Sequence, residues 1–331
     1  MRIAVVGAGF MGRSYAQIVQ AHPLAELAGV VDVNPAVAAG AAAEFGVPAY
    51  GSLDELLAVG AIDGAIVATV EDTHLEPCLA AFAAGAGVLV EKPLASTIAD
   101  GEAIVAAADA AGKPLLVGHV LHFDARYMQL HAAVRSGVIG EPLTLYARRL
   151  NGIAAQDRLQ GRCSLPLFLG VHDYDIVRWI AGSEVTEVVA RERRGFLAGR
   201  GANVEDAIVS LLTFANGALA TVELGWILPD SHPTGFDQRL DVNGSKGRVE
   251  LVGHESGVVV MDSARLSWPD TQLWPTLNGQ VDGALRRETW HFIDCLRGVA
   301  EPLISGADGM AALRIALAAE ESARTGASVR V

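Results

Sequence analysis

The sequence predicts two domains: an α/β domain with a parallel sheet, followed by an α+β domain with a mainly antiparallel open sheet. At 331 residues the chain exceeds the usual length of one domain. Its first third alternates short apolar runs with alanine-rich runs, whereas residues 185–261 contain strand patterns joined by turn signals. Apolar residues form 51% of the chain and charged residues 19%, a balance that excludes intrinsic disorder. We expect domains of residues 1–120 and 121–331.

The first domain contains strands that are predicted to be buried on both faces. Their sequences are continuous apolar runs rather than alternating ones, which is typical of a parallel sheet covered by helices. The predicted strands are residues 2–6, 27–32, 64–68, 88–90 and 115–117. The predicted helices between them are residues 11–21, 37–45, 73–84 and 98–111. This alternation is typical of a doubly wound fold.

The pattern changes after about residue 120. Residues 123–136 and 167–180 predict helices, residues 144–150 a strand, and residues 151–164 a polar loop. Gly182 is expected to end the second of these helices as a C-cap. The pairs Asn216-Gly217 and Asn243-Gly244 favour hairpin turns between the strands that follow. Helices over residues 282–297 and 308–323 complete the second domain.

The turn after the first strand is typical of a dinucleotide-binding site. Residues 7–12 read GAGFMG, a GxGxxG pattern that follows an apolar strand and opens a helix. Gly7 allows the tight turn, Gly9 lets the backbone approach a pyrophosphate, and Gly12 lets the helix pack on the strand. The helix N-terminus, with Phe10 and Met11, offers N–H groups and a positive dipole end to the phosphates. The first domain is therefore predicted to be a Rossmann domain.

Asp32 indicates which dinucleotide is bound. It lies 20 residues beyond Gly12, at the end of the second strand, where an acidic residue holds the ribose. A carboxylate there accepts hydrogen bonds from both ribose hydroxyls and repels a 2′-phosphate. Residues 33–35 contain no arginine that could hold such a phosphate. The sequence therefore favours NAD over NADP.

Two further groups are candidates for proton transfer. Glu91-Lys92-Pro93 follows the fourth strand directly, and functional groups in open α/β sheets lie at the carboxyl ends of strands. His172 is followed three residues later by Asp175, on the same face of a predicted helix. Histidine titrates near neutral pH, and desolvation beside a cation lowers the pKa of a lysine toward it. The alternatives are a surface ion pair at Glu91–Lys92, a buried structural His172, and an Asp175 that is a structural partner of Arg178 or of a helix N-terminus.

These motifs together resemble the Gfo/Idh/MocA family of oxidoreductases, the relatives of glucose–fructose oxidoreductase and inositol 2-dehydrogenase. The resemblance rests on GAGFMG, Asp32, the EKP sequence at residues 91–93 and GVHDYDIVRW at residues 170–179, and it spans essentially the whole chain. It implies hydride transfer between a nicotinamide and a secondary alcohol of a sugar, inositol or related polyol. It implies that Lys92 binds the reacting hydroxyl and takes part in proton transfer, and that His172 is an acid or base. It also makes Lys92–Pro93 a candidate for a cis peptide bond.

The chain departs from the family pattern at Phe168. Many members of the family carry an aspartate at this position, four residues before the histidine, and a phenylalanine cannot bind a hydroxyl. Either another polar group takes this role, or the substrate presents an apolar surface there, or the chemistry differs. The candidates for substrate binding are His119, His122, Asn151, Arg149 and Arg158, each with a purely structural role as the alternative. Thr69 and His74, after the third strand, are expected to line the nicotinamide side, together with Glu91 and Lys92.

Composition limits the partners. The net charge of −13 argues against nucleic acid or an anionic membrane as the main partner. The N-terminus runs directly into a strand pattern, so we expect no signal peptide, and no apolar run reaches the length of a membrane span. Three cysteines do not form a disulfide framework, which favours a reducing compartment and a cytoplasmic protein. No tight metal-ligand motif is present in the sequence, and we expect no metal.

The leading hypothesis is an NAD-dependent dehydrogenase that acts on the CH–OH group of a sugar or cyclic polyol. One alternative is an enzyme that keeps NAD bound and uses transient oxidation for glycoside cleavage or epimerisation. A non-catalytic dinucleotide-binding sensor is the other, favoured by Phe168 and opposed by the presence of both Lys92 and His172. In each case a homodimer or homotetramer is expected, assembled through the sheet of the second domain.

Overall fold

The computed structural model describes residues 1–155, 159, 161–229, 231–253, 257–261, 263 and 266–331. The chain forms two compact units. The first comprises residues 1–123 and 272–310, and the second comprises residues 124–271 and 311–331. Residues 272–310, which lie in the second of the two domains expected from the sequence, belong to the first compact unit.

The first unit, all of whose residues are described, is built on a six-stranded sheet. Every strand pair in this sheet is parallel, and the strand order is β3-β2-β1-β4-β5-β6. The strands are β1 Arg2–Val6, β2 Glu26–Val31, β3 Ala49–Tyr50, β4 Gly64–Val67, β5 Gly87–Glu91 and β6 Leu115–Gly118. Strand β4 is buried along its whole length, as its continuous apolar sequence predicts. The predicted parallel α/β domain is thereby confirmed.

The helices of this unit alternate with the strands. They are α1 Phe10–Gln20, α2 Pro35–Phe45, α3 Leu53–Val59, α4 Leu75–Ala83 and α5 Ile98–Ala111. Thr97 caps α5 by accepting a hydrogen bond from the Asp100 N–H, and Gly112 ends it in the left-handed conformation. The sequence analysis missed β3 and α3. Two residues of strand and seven of helix are too few to give a clear hydrophobic period.

Residues 272–310 complete the first unit. They contain the hairpin β15 Thr276–Leu277 and β16 Gln280–Val281, followed by helix α8 Ala284–Leu296. Helix α8 packs against α1 and against a 3₁₀ turn at Val120–Phe123. Its buried face includes Leu285, Thr289 and Phe292. This amphipathic face, rather than chain order, places the segment in the first unit.

The second unit is built on a mixed sheet, with the strand order β12-β11-β7-β10-β9-β8-β17 in the part of the chain that the structure describes. The strands are β7 Pro142–Gly152, β8 Val185–Arg193, β9 Ala207–Phe214, β10 Leu219–Leu228, β11 Phe236–Gly244, β12 Arg248–Val252 and β17 Val329–Arg330. Only β7 and β10 pair in parallel within this described sheet. The expected mainly antiparallel sheet is confirmed. A separate hairpin joins β13 Val260–Met261 to β14 Leu266–Ser267.

Helices cover one face of this sheet. They are α6 Ala125–Arg135, α7 Val171–Ala181 and α9 Gly306–Thr325, and the division between the two units falls within α9. A π-helical segment, Pro166–Gly170, precedes α7, where the sequence predicted one continuous helix. Gly182 ends α7 with a φ of 60°, as expected of a C-cap glycine. Among the described residues, no helix is long and apolar enough to cross a membrane.

Candidate cofactor site and active-site residues

The glycine turn has the geometry that a dinucleotide requires. Gly7 has a φ of +91°, and a Cβ atom on it would lie 2.5 Å from the Ala68 carbonyl oxygen. A Cβ on Gly12 would lie 1.7 Å from the carbonyl oxygen of Gly7. The two glycines are therefore required by the fold itself, because a side chain at either position overlaps the backbone. They bring the start of α1 directly onto the end of β1.

Gly9 differs from its two neighbours in the motif. Apart from its two chain neighbours, no atom of the described residues lies within 4 Å of the position its Cβ would take, so the space in front of it is open. Gly9 is also the N-cap of α1 and makes no side-chain cap, which leaves the first-turn N–H groups free to face a ligand. An open cradle before uncapped N–H groups fits a pyrophosphate. Phe10 is exposed, with its ring edge-on to Trp274 at 6.3 Å, and Met11 is half-buried.

Asp32 is oriented by the backbone around it. One carboxylate oxygen accepts a hydrogen bond from the Ala8 N–H at 2.9 Å, and the other accepts one from the Asn34 N–H at 2.8 Å. Both oxygens retain lone pairs that can accept hydroxyl hydrogens. The carboxylate thus lies beside the glycine turn, half-buried and with acceptor capacity left for ribose hydroxyls.

The residues of the EKP sequence stand at the carboxyl end of β5. Glu91 is the last residue of this strand, and Lys92 and Pro93 are joined by a cis peptide bond, as the sequence comparison suggested. The Lys92 N–H donates a hydrogen bond to Glu91 Oε2 at 3.1 Å. Burial raises the pKa of Glu91, while the positive charge of Lys92 acts in the opposite direction. The carboxylate and the ammonium are therefore electrostatically coupled.

His74 contacts the backbone of the EKP sequence. Its side chain is buried, and Nδ1 lies 3.0 Å from the Pro93 carbonyl oxygen, so Nδ1 carries the hydrogen and donates. Nε2 lies 3.4 Å from the carbonyl oxygen of Thr69, whose hydroxyl contacts the Thr73 carbonyl at 3.4 Å. Burial lowers the pKa of His74, which favours a neutral ring. These contacts give His74 a structural role at Pro93, and that it also lines the nicotinamide side stays a prediction.

Two residues of this region were missed by the sequence analysis. The Tyr15 hydroxyl lies 2.8 Å from Glu91 Oε1 and 3.0 Å from Glu288 Oε2. Both Tyr15 and Glu288 are 0% exposed. A signal was present in the sequence, since Glu288 interrupts the apolar face of α8 between Leu285 and Phe292. A charged residue in such a position is unusual and points to a specific partner.

The second unit holds the other catalytic candidates. His172 is the second residue of α7 and is half-buried, and Asp175 lies one turn further on and is buried. His119 and His122 belong to the first unit, where they follow β6 and are both buried. Asn151 is half-buried in β7, where it pairs with Phe236. Arg158 lies outside the described residues.

Arg149 is engaged in a buried ion pair. Its guanidinium donates to Asp173 Oδ2 at 2.6 Å and to Oδ1 at 3.2 Å, and it donates to Gln238 at 3.2 Å. Arg149 is 7% exposed and Asp173 is 2% exposed. Burial raises the pKa of Asp173, and the guanidinium acts in the opposite direction. This arrangement links β7 to α7 and favours the structural alternative that the sequence left open for Arg149.

Phe168 lies in the π-helical segment before α7. Its ring packs at 45° against Trp226, with 5.5 Å between the ring centroids. Trp226 is fully buried. The side chain that replaces the expected carboxylate is therefore part of an aromatic cluster of the second unit. Among the described residues, no group of three or more His, Cys, Asp or Glu side chains could hold a metal ion.

The sequence matches two descriptions of one family. Residues 1–119 match "Oxidoreductase family, NAD-binding Rossmann fold", and residues 131–331 match "Oxidoreductase family, C-terminal alpha/beta domain". The first match agrees with the glycine turn and the Asp32 carboxylate described above. The first unit therefore contains an NAD-binding Rossmann fold.

Similar proteins extend over the whole chain. A myo-inositol 2-dehydrogenase of Thermotoga maritima is 30% identical and covers 100% of this chain and 98% of its own length. An inositol 2-dehydrogenase of Saccharopolyspora erythraea is 34% identical over 76% of this chain and 73% of its own. The crystal structure of a myo-inositol dehydrogenase from Corynebacterium glutamicum superposes with a TM-score of 0.84 at 26% identity, covering 100% and 98% of the two chains. The chain belongs to the Gfo/Idh/MocA family of oxidoreductases.

Proposed function

We propose that this protein is an NAD-dependent dehydrogenase that oxidises a secondary alcohol of an inositol, a sugar or a related polyol, or catalyses the reverse reduction. The observation that carries the proposal is the placement of Lys92 at the carboxyl end of β5 in the same unit as the open Gly9 cradle. Active groups of open α/β sheets lie at this edge. The similarity to inositol dehydrogenases supports a polyol as the substrate class.

The cofactor half of the proposal rests on three groups. The N–H groups at the start of α1 would hold the pyrophosphate, and the Asp32 carboxylate would accept the ribose hydroxyls. Because a 2′-phosphate would lie against this anion, we propose that NAD is used in preference to NADP. Bound NAD supplies the acceptor for the hydride that leaves the substrate carbon.

The protein's own groups would handle the proton. Lys92 would bind the reacting hydroxyl and accept or return its proton, and His172 would act as the second acid or base, with Asp175 beside it on α7. Histidine is suited to this role since its ordinary pKa lies near neutral pH. His119, His122 and Asn151 remain our candidates for substrate contacts, whereas Arg149 is committed to Asp173.

A screen of polyols with NAD tests the proposed activity. Purified protein is incubated with NAD and a panel of inositols, sugars and their acids, and the absorbance of NADH is followed. Accumulation of NADH with one class of polyol is the expected result. If the substrate is epimerised or cleaved while no NADH accumulates, the alternative of transient oxidation by bound NAD is correct. If NAD binds but no member of the panel turns over, the sensor alternative gains support.

Lys92→Ala tests the assigned base. We expect kcat/KM to fall by at least about 100-fold, a typical loss for a proton-transfer group, while the dissociation constant of NAD stays near that of the wild type. Lys113→Ala, which removes an exposed lysine after α5, is the matched control. Turnover of Lys92→Ala at the wild-type rate would show that the base has been misassigned.

We also propose that the protein assembles as a homodimer or homotetramer through the sheet of the second unit. The face opposite the helices exposes Val209 and Leu211 of β9 and Leu219 of β10, at 46%, 43% and 40%. A row of exposed aliphatic side chains on a sheet is typical of an interface. The chain has only three cysteines and all three are buried, which supports our proposal of a cytoplasmic location.

A further inference from the structure

The hydrogen-bond chain between Glu91, Tyr15 and Glu288 lacks a hydrogen if both carboxyls are ionised. The Tyr15 hydroxyl has one hydrogen and lies 2.8 Å from one carboxyl oxygen and 3.0 Å from the other. It can donate to only one of them. The second carboxylate would then place a negative oxygen against the lone pairs of the hydroxyl, inside a buried site. One of the two carboxyls must therefore carry a proton.

The surroundings of the two carboxyls decide which one is protonated. Glu91 accepts a hydrogen bond from the Lys92 N–H and feels the positive charge of the Lys92 side chain. Glu288 is 0% exposed, and its Oε1 is buried without a hydrogen-bond partner among the described residues. Burial and the nearby charge of Glu91 both raise the pKa of Glu288, in that order. An isolated buried carboxylate is far costlier than a buried carboxylic acid.

We propose that Glu288 is a carboxylic acid that keeps its proton at neutral pH, donates a hydrogen bond to Tyr15, and thereby aims the Tyr15 hydroxyl at an ionised Glu91 beside Lys92. Tyr15 and Glu288 are then positioning residues for Lys92, a role that rests on the function proposed above. The protonation of Glu288 itself does not depend on that function.

The charged and titratable groups around the hydrogen bonds of Glu91, Tyr15 and Glu288 come from the following elements. Helix α1 contributes Tyr15, whose pKa burial raises well above its ordinary value, so it stays neutral. Strand β5 contributes Glu91, followed by Lys92. The 3₁₀ turn packed against α8 carries His122, and α8 itself carries Arg286, Arg287 and His291. The groups that act on the Glu288 carboxyl are Glu91 and Tyr15.

A neutral Glu288 has a consequence for Lys92. If Glu288 were ionised instead, the proton would have to sit on Glu91, and the residue next to Lys92 would lose its charge. Directing the Tyr15 hydrogen to Glu91 stabilises the anion and so favours the ammonium form of Lys92. The hydrogen bonds from Glu288 on α8 through Tyr15 on α1 to Glu91 on β5 thus influence the pKa of Lys92.

The first test measures whether the pair holds a proton. The unfolding equilibrium of the full chain is followed against pH for the wild type, Glu288→Gln and the control Glu76→Gln, which removes an exposed carboxylate of α4. Because the folded pKa of Glu288 is raised, its contribution to stability is present below the unfolded pKa of about 4.3 and is lost as pH rises. The unfolding constant of the wild type relative to Glu288→Gln should rise by up to about tenfold per pH unit above that value. Parallel curves for the two proteins would overturn the proposal.

The second test locates the proton. The pKa of Lys92 is read from the chemical shift of its side chain in protein with labelled lysine, assigned with Lys92→Ala. In Glu91→Gln it should fall by about 1 pH unit, since an adjacent anion is lost, whereas in Glu288→Gln it should stay at the wild-type value. The opposite pattern would place the proton on Glu91 and refute the assignment. Neither measurement requires turnover, so a failure of the proposed dehydrogenase activity would be recognised separately.

Discussion

The two units use buried charge in opposite ways. In the first unit, Glu288 is buried, its Oε1 has no hydrogen-bond partner among the described residues, and its hydrogen bond to Tyr15 needs a proton. In the second, Asp173 is also buried but accepts hydrogen bonds from Nε and Nη2 of Arg149. An unpaired buried carboxyl is stable only when neutral, whereas a paired one can stay ionised. The comparison shows that the first arrangement can respond to pH, while the second fastens a strand to a helix.

Breaking the ion pair of the second unit should have the largest effect on stability. Arg149→Leu leaves the Asp173 carboxylate buried without its partner, and we expect the free energy of unfolding to fall by about 3–5 kcal/mol. Chemical denaturation at neutral pH measures this change. The double variant Arg149→Leu/Asp173→Leu, which removes both charges, should recover part of the loss. If Arg149→Leu alone costs nothing, the pair does not fasten β7 to α7.

The glycine turn of the first unit allows a sharper contrast between stability and binding. Gly12→Ala places a Cβ 1.7 Å from the Gly7 carbonyl oxygen, and we expect a loss of about 2–3 kcal/mol of stability. Gly9→Ala meets no described atom within 4 Å beyond its chain neighbours, so it should lose only the small difference between glycine and alanine at an N-cap, about 0.5–1 kcal/mol, while NAD binding weakens. Thermal unfolding and NAD titration of both variants separate the two roles. Equal destabilisation by both would contradict the open cradle at Gly9.

Asp32→Ala tests the choice of cofactor. Loss of the ribose hydrogen bonds should weaken NAD by about 10- to 100-fold, equivalent to roughly 1.4–2.8 kcal/mol. NADP should be weakened less, or strengthened, because the repulsion of its 2′-phosphate is removed. Dissociation constants for both dinucleotides decide the matter, with Asp54→Ala on α3 as a surface control. An equal loss for both would remove the argument for NAD.

The smallest effect on the fold is expected at the exposed sheet face of the second unit. Leu211→Lys replaces an exposed aliphatic side chain, so the stability of the isolated chain should change by less than about 0.5 kcal/mol. If this face is an interface, the buried charge should shift the mass measured by sedimentation toward the monomer. Leu143→Lys, at another exposed leucine, is the control. An unchanged mass would place the interface elsewhere.

The first unit was predicted better than the second because its signals are local. The glycine turn, Asp32 and the EKP sequence are short segments whose function depends on neighbours in the chain, and the parallel sheet follows from apolar runs at regular intervals. The partners of Arg149 could not be predicted, since Asp173 lies 24 residues away and Gln238 lies 89 residues away. Only the long-range pairing of strands and helices brings them together. Tyr15 and Glu288, 273 residues apart, were missed for the same reason.

The return of residues 272–310 to the first unit affects how the chain is made. A ribosome that has synthesised the glycine turn and all six parallel strands has not yet synthesised α8, whose Glu288 closes the hydrogen-bond chain to Tyr15. Until α8 has been synthesised, the residues of α1 that α8 contacts lack this cover. We therefore expect a fragment cut after residue 120 to resemble a biosynthetic intermediate that lacks the contacts of α8 with α1.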